Sequence, residues 1–130
     1  MSSEALKNCP FCARQIESKI IERVGSAAAV ADVNPVTKGH ILIIPVRHTP
    51  DFFSMTAEEK EDAIKLIDVL CDKIRKSDPS VTGFNIGTNC GVSAGQTIMH
   101  AHIHLIPRRD GDTPRPRGGV RGVIPDKMSY

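Results

Sequence analysis

The chain has 130 residues, 17 Lys and Arg against 15 Asp and Glu for a formal charge of +2, and 40% hydrophobic residues, which suits one domain with a modest core that needs no disulfides. No run approaches the ~18 apolar residues of a membrane helix, and no amino-terminal stretch has signal-peptide form. With one Tyr and no Trp, a nucleic-acid surface is not expected either. In chain order, Cys9 to Ser18 can form a short helix. Lys19 to Val24 and Ala27 to Val33 then read as strands joined at Gly25-Ser26. Asn34 to Gly39 is a loop, and "HILIIPV" from His40 is a buried strand.

The clearest helix is "SMTAEEKEDAIKLIDVLCDKIRKSD". Thr56 followed by Glu59 matches a capping box, acidic residues load the first turn, and Ile64, Ile67, Cys71 and Ile74 predict an apolar stripe. It should stop before Pro79. Val81 to Ile86 reads as a strand, "GTNCGVSAG" as a loop, and "HAHIHLIP" as a final strand ending at Pro107. The sum is an α+β fold with five strands, one principal helix and a short amino-terminal helix. From Arg108 onward there are six basic residues against three acidic, so residues 109–130 read as a basic, Pro/Gly-rich tail on a domain spanning 1–108.

"HAHIHLIP" carries the strongest chemical signal. Successive strand residues face opposite sides, so His100, His102 and His104 should share one face while Ala101, Ile103 and Leu105 occupy the other. One lone histidine would be an ordinary surface residue; three in register point to chemistry. Attack on a negatively charged phosphoryl centre needs a nucleophile that is unprotonated near neutral pH. Imidazole, with an ordinary pKa of ~6.5, meets that need.

"CPFC" is less specific. A Cys-x-x-Cys pair is redox-active or metal-binding, and a closed structural site needs two further ligands. In the cytoplasm, where the chain is expected, thiols stay reduced. Cys71 falls in the helical pattern as a small core residue, and Cys90 in the loop has no assigned role.

Three segments, "NPVTKGHILIIPVRH", "AGQTIMHAHIHLIPR" and the His-x-His-x-His run itself, resemble the histidine triad (HIT) superfamily of nucleotide hydrolases and transferases. With "CPFC", the likeness runs from about Cys9 to Arg108. It implies a five-stranded antiparallel sheet, usually continued across a symmetric homodimer. It also implies that His102 attacks the α-phosphorus of a purine nucleotide conjugate, that the carbonyl of His100 fixes its ring, and that His104 and His40 complete the catalytic set with Thr97. By the same likeness Asn89, Gln96 and Thr97 hold the phosphate, with Gly91 and Gly95 opening backbone amides to it. Asp32 takes the ribose hydroxyls, and Phe11, Val30 and Val33 form an apolar slot for the base. Arg14 stands where the family is often apolar, which leaves base preference open. HIT proteins of the Cys-x-x-Cys type bind structural zinc through positions matching Cys9, Cys12, His48 and His100.

The implied activity is hydrolysis of a dinucleoside polyphosphate, nucleoside phosphoramidate or adenylylated compound through a nucleotidyl-histidine. The alternatives are nucleotidyl transfer to phosphate and a nucleotide-binding adaptor. In the family the carboxy terminus reaches toward the partner's site, which would place the tail arginines near phosphate.

Overall fold

A computed structural model describes residues 8–130, so the first seven residues of the expected 1–108 domain lie outside the described residues. Helix α1 (Ala13–Ile16) leads into strands β1 (Ile20–Val24), β2 (Ala27–Ala31) and β3 (Ile41–Pro45). The long helix α2 (Ala57–Ser77), β4 (Val81–Gly87) and β5 (Ile103–Arg109) follow. The five strands make one antiparallel sheet in the order β1-β2-β3-β5-β4, the expected α+β architecture.

Both faces of the central strands are covered, which explains why "AAAV" and "ILIIP" are continuous apolar runs and do not alternate. Toward α2 lie Ala27, Ala29, Ile41, Ile43, Ala101, Ile103 and Leu105. Toward the amino-terminal segment lie Ala28, Val30, Leu42 and Ile44, packed on Cys9, Phe11 and Ile16. That second cover is short, and a cleft remains beside it.

Helix α2 begins with the expected capping box: Glu59 N–H donates to Thr56 Oγ1 at 3.0 Å and Thr56 N–H to Glu59 Oε1 at 2.8 Å. Glu59 is itself buried and accepts from Arg47 at 3.1 and 2.8 Å, which ties the helix start to the exit of β3. The apolar stripe is displaced from the expected one. Ala63, Leu66 and Leu70 are buried, Ile67, Cys71 and Ile74 pack along one flank, and Ile64 is 61% exposed. The small alanines of β2 admit Leu66, so the helix turns that side to the sheet.

Three elements have boundaries that differ from expectation by more than one residue. Cys9 to Cys12 form a turn, the α-helix is confined to Ala13–Ile16, and a 3-10 turn Glu17–Lys19 follows. Strand β2 ends at Ala31, because the Asp32 carboxylate accepts the Asn34 N–H at 2.8 Å and bends the chain. Strand β5 starts after His102 and passes through Pro107 to Arg109. The Pro107 carbonyl faces Thr37, so its nitrogen faces the same side, opposite the chain before Ile41 where β3 begins. No ladder bond is lost there. The tail carries regular turns. It forms 3-10 turns at Gly119–Val123 and Pro125–Lys127, with the Tyr130 ring beneath the Arg117 and Arg121 guanidiniums at 5.3 and 4.8 Å.

Candidate active site and metal-binding cluster

Residues 100–102 continue the line of β5 but are held by loop groups: the Ala101 N–H donates to the Thr49 carbonyl at 2.7 Å and Thr88 Oγ1 donates to the His102 carbonyl at 2.7 Å. The period of two survives. Ala101, Ile103 and Leu105 enter the helix-side core, whereas Phe11, on the other face, meets the His100 and His102 rings edge-on at 6.1 and 5.1 Å. The triad therefore shares a face, but its members do different things.

His100 is fully buried, and its Nε2–H donates to the Pro45 carbonyl at 2.8 Å. Burial pushes its pKa down to about 4, so the ring is neutral and its Nδ1 lone pair is free. That nitrogen lies 3.4 Å from Cys9 Sγ, 3.7 Å from Cys12 Sγ and 3.2 Å from His48 Nδ1, and Cys12 Sγ is 3.1 Å from His48 Nδ1. A tetrahedral ion bonded at about 2.0 Å to nitrogen and 2.3 Å to sulfur needs N···N of about 3.3 Å and S···N of about 3.5 Å. The four donors converge as such an ion requires, and the Pro45 carbonyl supplies the outer partner that fixes a ligating imidazole. Burial and the adjacent Cys9 push the Cys12 thiol up to about 12, so without a cation the thiol keeps its proton.

A second cluster, Asp32, His40 and His104, differs in having a proton directed into it. Val36 N–H donates to His40 Nδ1 at 3.1 Å, which places the His40 proton on Nε2. That proton points at His104 Nδ1, 2.9 Å away, and is shared with Asp32 Oδ2 at 3.4 Å. His104 Nδ1 is thus an acceptor and its own proton sits on Nε2. A cation at the centre would have to displace the His40 proton onto Nδ1, against the Val36 N–H. The group is a hydrogen-bond relay and not a metal cage. Burial pulls both His40 and His104 below the ordinary imidazole range, against the opposing charge of Asp32.

Between the two clusters stands His102. Its Nδ1–H donates to the His100 carbonyl at 2.8 Å, leaving Nε2 with a lone pair, and its ring lies 5.3 Å from His104. Both rings line a cleft of about 520 Å³, together with Asp32, Asn89, Thr97, Phe11, Val30 and Val33. His40 lines it as well.

The sequence profile of the HIT domain matches residues 13–111. This chain belongs to the HIT domain family. An uncharacterized HIT-like protein of Methanocaldococcus jannaschii is 35% identical over 124 residues, 92% of this chain and 95% of that protein. The asymmetrical bis(5'-nucleosyl)-tetraphosphatase of Schizosaccharomyces pombe is 32% identical across 82% of this chain but only 58% of its own length. Among solved structures, a Zn-bound histidine triad family protein from Mycobacterium smegmatis superposes with a TM-score of 0.74 at 31% identity, covering 85% of this chain and 81% of that one.

Several side chains of this HIT domain sit differently from the expected arrangement. Gln96 is buried and lies outside the cleft lining; its amide donates to the Pro50 and Ile98 carbonyls at 2.6 and 3.0 Å and accepts the Gly91 N–H at 2.9 Å. Gly91 and Gly95 both need their positive φ of 91°, but the Gly95 amide bonds to Val92 and the Gly91 amide to Gln96. These glycines shape the loop, and neither amide is turned to the cleft. Arg14 is exposed on α1 and outside the lining, whereas Ile16, Lys19 and Leu42, unassigned in the sequence, line it. Leu42 was legible as the alternate of Ile43; Lys19 carried no local signal. Of the three slot residues, Phe11 and Val30 are buried in the core and Val33 is 82% exposed.

Proposed function

We propose that this HIT protein is a hydrolase acting at the α-phosphate of a nucleotide conjugate, a dinucleoside polyphosphate, nucleoside phosphoramidate or adenylylated compound, through a nucleotidyl-His102 intermediate. The observation that carries the reading is the set of hydrogen-bond partners of the imidazoles in the cleft, which fixes where their protons sit. His102 presents a lone pair on Nε2 because its Nδ1–H is tied to the His100 carbonyl, and His104 presents an Nε2–H because its Nδ1 accepts from His40. A nucleophile beside a hydrogen-bond donor is what phosphoryl attack requires.

In the first step the His102 Nε2 lone pair forms an N–P bond while the bond from phosphorus to the leaving group breaks, its electron pair departing with that group. Water then displaces the imidazole; the nucleotide leaves as a monophosphate, and the two hydrogens of water end on phosphate and leaving group. His104 Nε2–H, the Thr97 hydroxyl and the Asn89 amide bind the phosphate oxygens. Asp32 accepts the ribose hydroxyls with lone pairs not taken by Asn34, and a purine lies between Phe11, Val30 and Val33. Gln96 contributes by holding the loop that carries Thr97.

Cys9, Cys12, His48 and His100 hold zinc in this reading, supported by their converging donors and by the Zn-bound relative. Zinc there supplies cross-linking, tying the amino-terminal segment to the catalytic one, and takes no part in bond making. A cytoplasmic homodimer, two sheets continued through an edge strand, completes the proposal. Substituting His102→Asn should abolish turnover while nucleotide binding stays within about tenfold, because few ground-state contacts are lost. A labelled nucleotide should be trapped on the parent and not on the variant; turnover retained by the variant would refute the mechanism.

A further inference from the structure

The turn between β2 and β3 delivers both Asp32 and His40, and two side chains outside the cleft lining anchor it. Thr37 Oγ1 donates to the Pro107 carbonyl at 2.7 Å. Arg109 donates from Nη1 to the Lys38 carbonyl at 3.0 Å, from Nη2 to Asp78 at 2.9 Å and from Nε to Ser80 Oγ at 3.1 Å. One planar guanidinium thus joins the turn to the end of α2 from within β5. The Thr37 carbonyl accepts the His40 N–H at 3.2 Å, closing the turn that aims the Val36 N–H at His40 Nδ1.

We infer that Thr37 and Arg109 are positioning residues that set which nitrogen of His104 carries its proton, acting through His40. β5 holds His104 near one end and the Pro107 and Arg109 anchors near the other, so the turn and the His104 ring share one rigid reference. If the turn slips, Val36 no longer donates to His40 Nδ1, and the His40 proton can move there. His40 Nε2 then becomes an acceptor facing His104 Nδ1, which must take the proton. The cleft loses its Nε2–H donor. The effect on turnover rests on the nucleotidyl-transfer reading; the ring-proton assignment does not.

The test is ¹⁵N NMR of histidine-labelled full-length protein at about pH 8, where neutral imidazoles report their tautomer. His40 and His104 should each be a single Nε2–H tautomer in the parent and a mixture in Thr37→Val, with Thr37→Ser restoring the single form. With a substrate that the parent turns over, Thr37→Val should lose about tenfold in kcat/KM and Thr37→Ser stay within about twofold. A folded Thr37→Val protein, melting near the parent, that keeps both single tautomers overturns the inference, as does an Nδ1–H form of His40 or His104 in the parent. Should Thr37→Val not fold, Arg109→Gln is read the same way. Mixed tautomers with unchanged turnover uphold the anchor and overturn its catalytic consequence. Failure of the hydrolase reading appears separately, as a parent without nucleotidyl adduct.

Discussion

Replacing Phe11 separates the two roles its position combines, wall of the cleft and part of the core. The side chain is 8% exposed, packed among Ile16, Val30, Leu42 and Ile44, and its ring lies edge-on to His102 with centroids 5.1 Å apart. Deleting a buried Phe to Ala costs about 3–5 kcal/mol, and because one side opens on the cleft and can relax, the lower end, about 3 kcal/mol, applies. At roughly 3–4 °C per kcal/mol for a domain of this size, Phe11→Ala should lower the melting temperature by roughly 10 °C. Phe11→Leu, which keeps most of the volume, should cost about 1 kcal/mol and roughly 3–4 °C. Val33→Ala, at a side chain 82% exposed, should stay within about 0.5 kcal/mol of the parent. Thermal melts followed by circular dichroism measure all three, and nucleotide titrations should show weaker binding in each. A Phe11→Ala protein melting within about 3 °C of the parent would refute the core assignment. A Val33→Ala protein with unchanged nucleotide affinity would remove Val33 from the slot.

The purified protein should carry about one zinc per chain, and Cys9→Ser or His48→Ala should lower the melting temperature more than low-temperature activity; elemental analysis with melts checks this, and metal-free protein prepared without chelators would contradict it. Arg109 holds the Asp78 carboxyl down at about 2, below its unfolded value of ~3.9. The stabilisation is therefore complete above about pH 4 and is lost as pH falls toward about 2, so Asp78→Asn should flatten the stability change across that window in acid denaturation. Deleting Thr113 to Tyr130 should raise KM most for substrates with long polyphosphate chains, and less so at high salt, because exposed ion pairs are screened beyond roughly 10 Å at 0.1 M. Equal, salt-independent effects on long and short substrates would mean that the tail only packs.

Local features of the sequence already determined several elements of this protein. The alternation of His100, His102 and His104 with Ala101, Ile103 and Leu105 settles which side chains share a face, because a strand has a period of two wherever it lies. Thr56 and Glu59 begin α2 because a capping box closes within one turn. Other features depend on how distant segments meet. The phase of α2, with Leu66 inward and Ile64 outward, depends on the alanines of β2, and the passage of β5 through Pro107 depends on where β3 begins. Cys-x-x-Cys by itself left redox and metal chemistry open; His100 and Cys9, 91 residues apart, meet only because the amino-terminal segment covers the second face of the sheet. Most of all, the proton positions are tertiary. His40 and His104 are chemically alike, and each ring's donor and acceptor follow from what its other nitrogen meets, a Val36 amide for one and a neighbouring imidazole for the other. No local pattern encodes such partners, because a neutral imidazole has two tautomers of similar energy and the surrounding hydrogen bonds select between them.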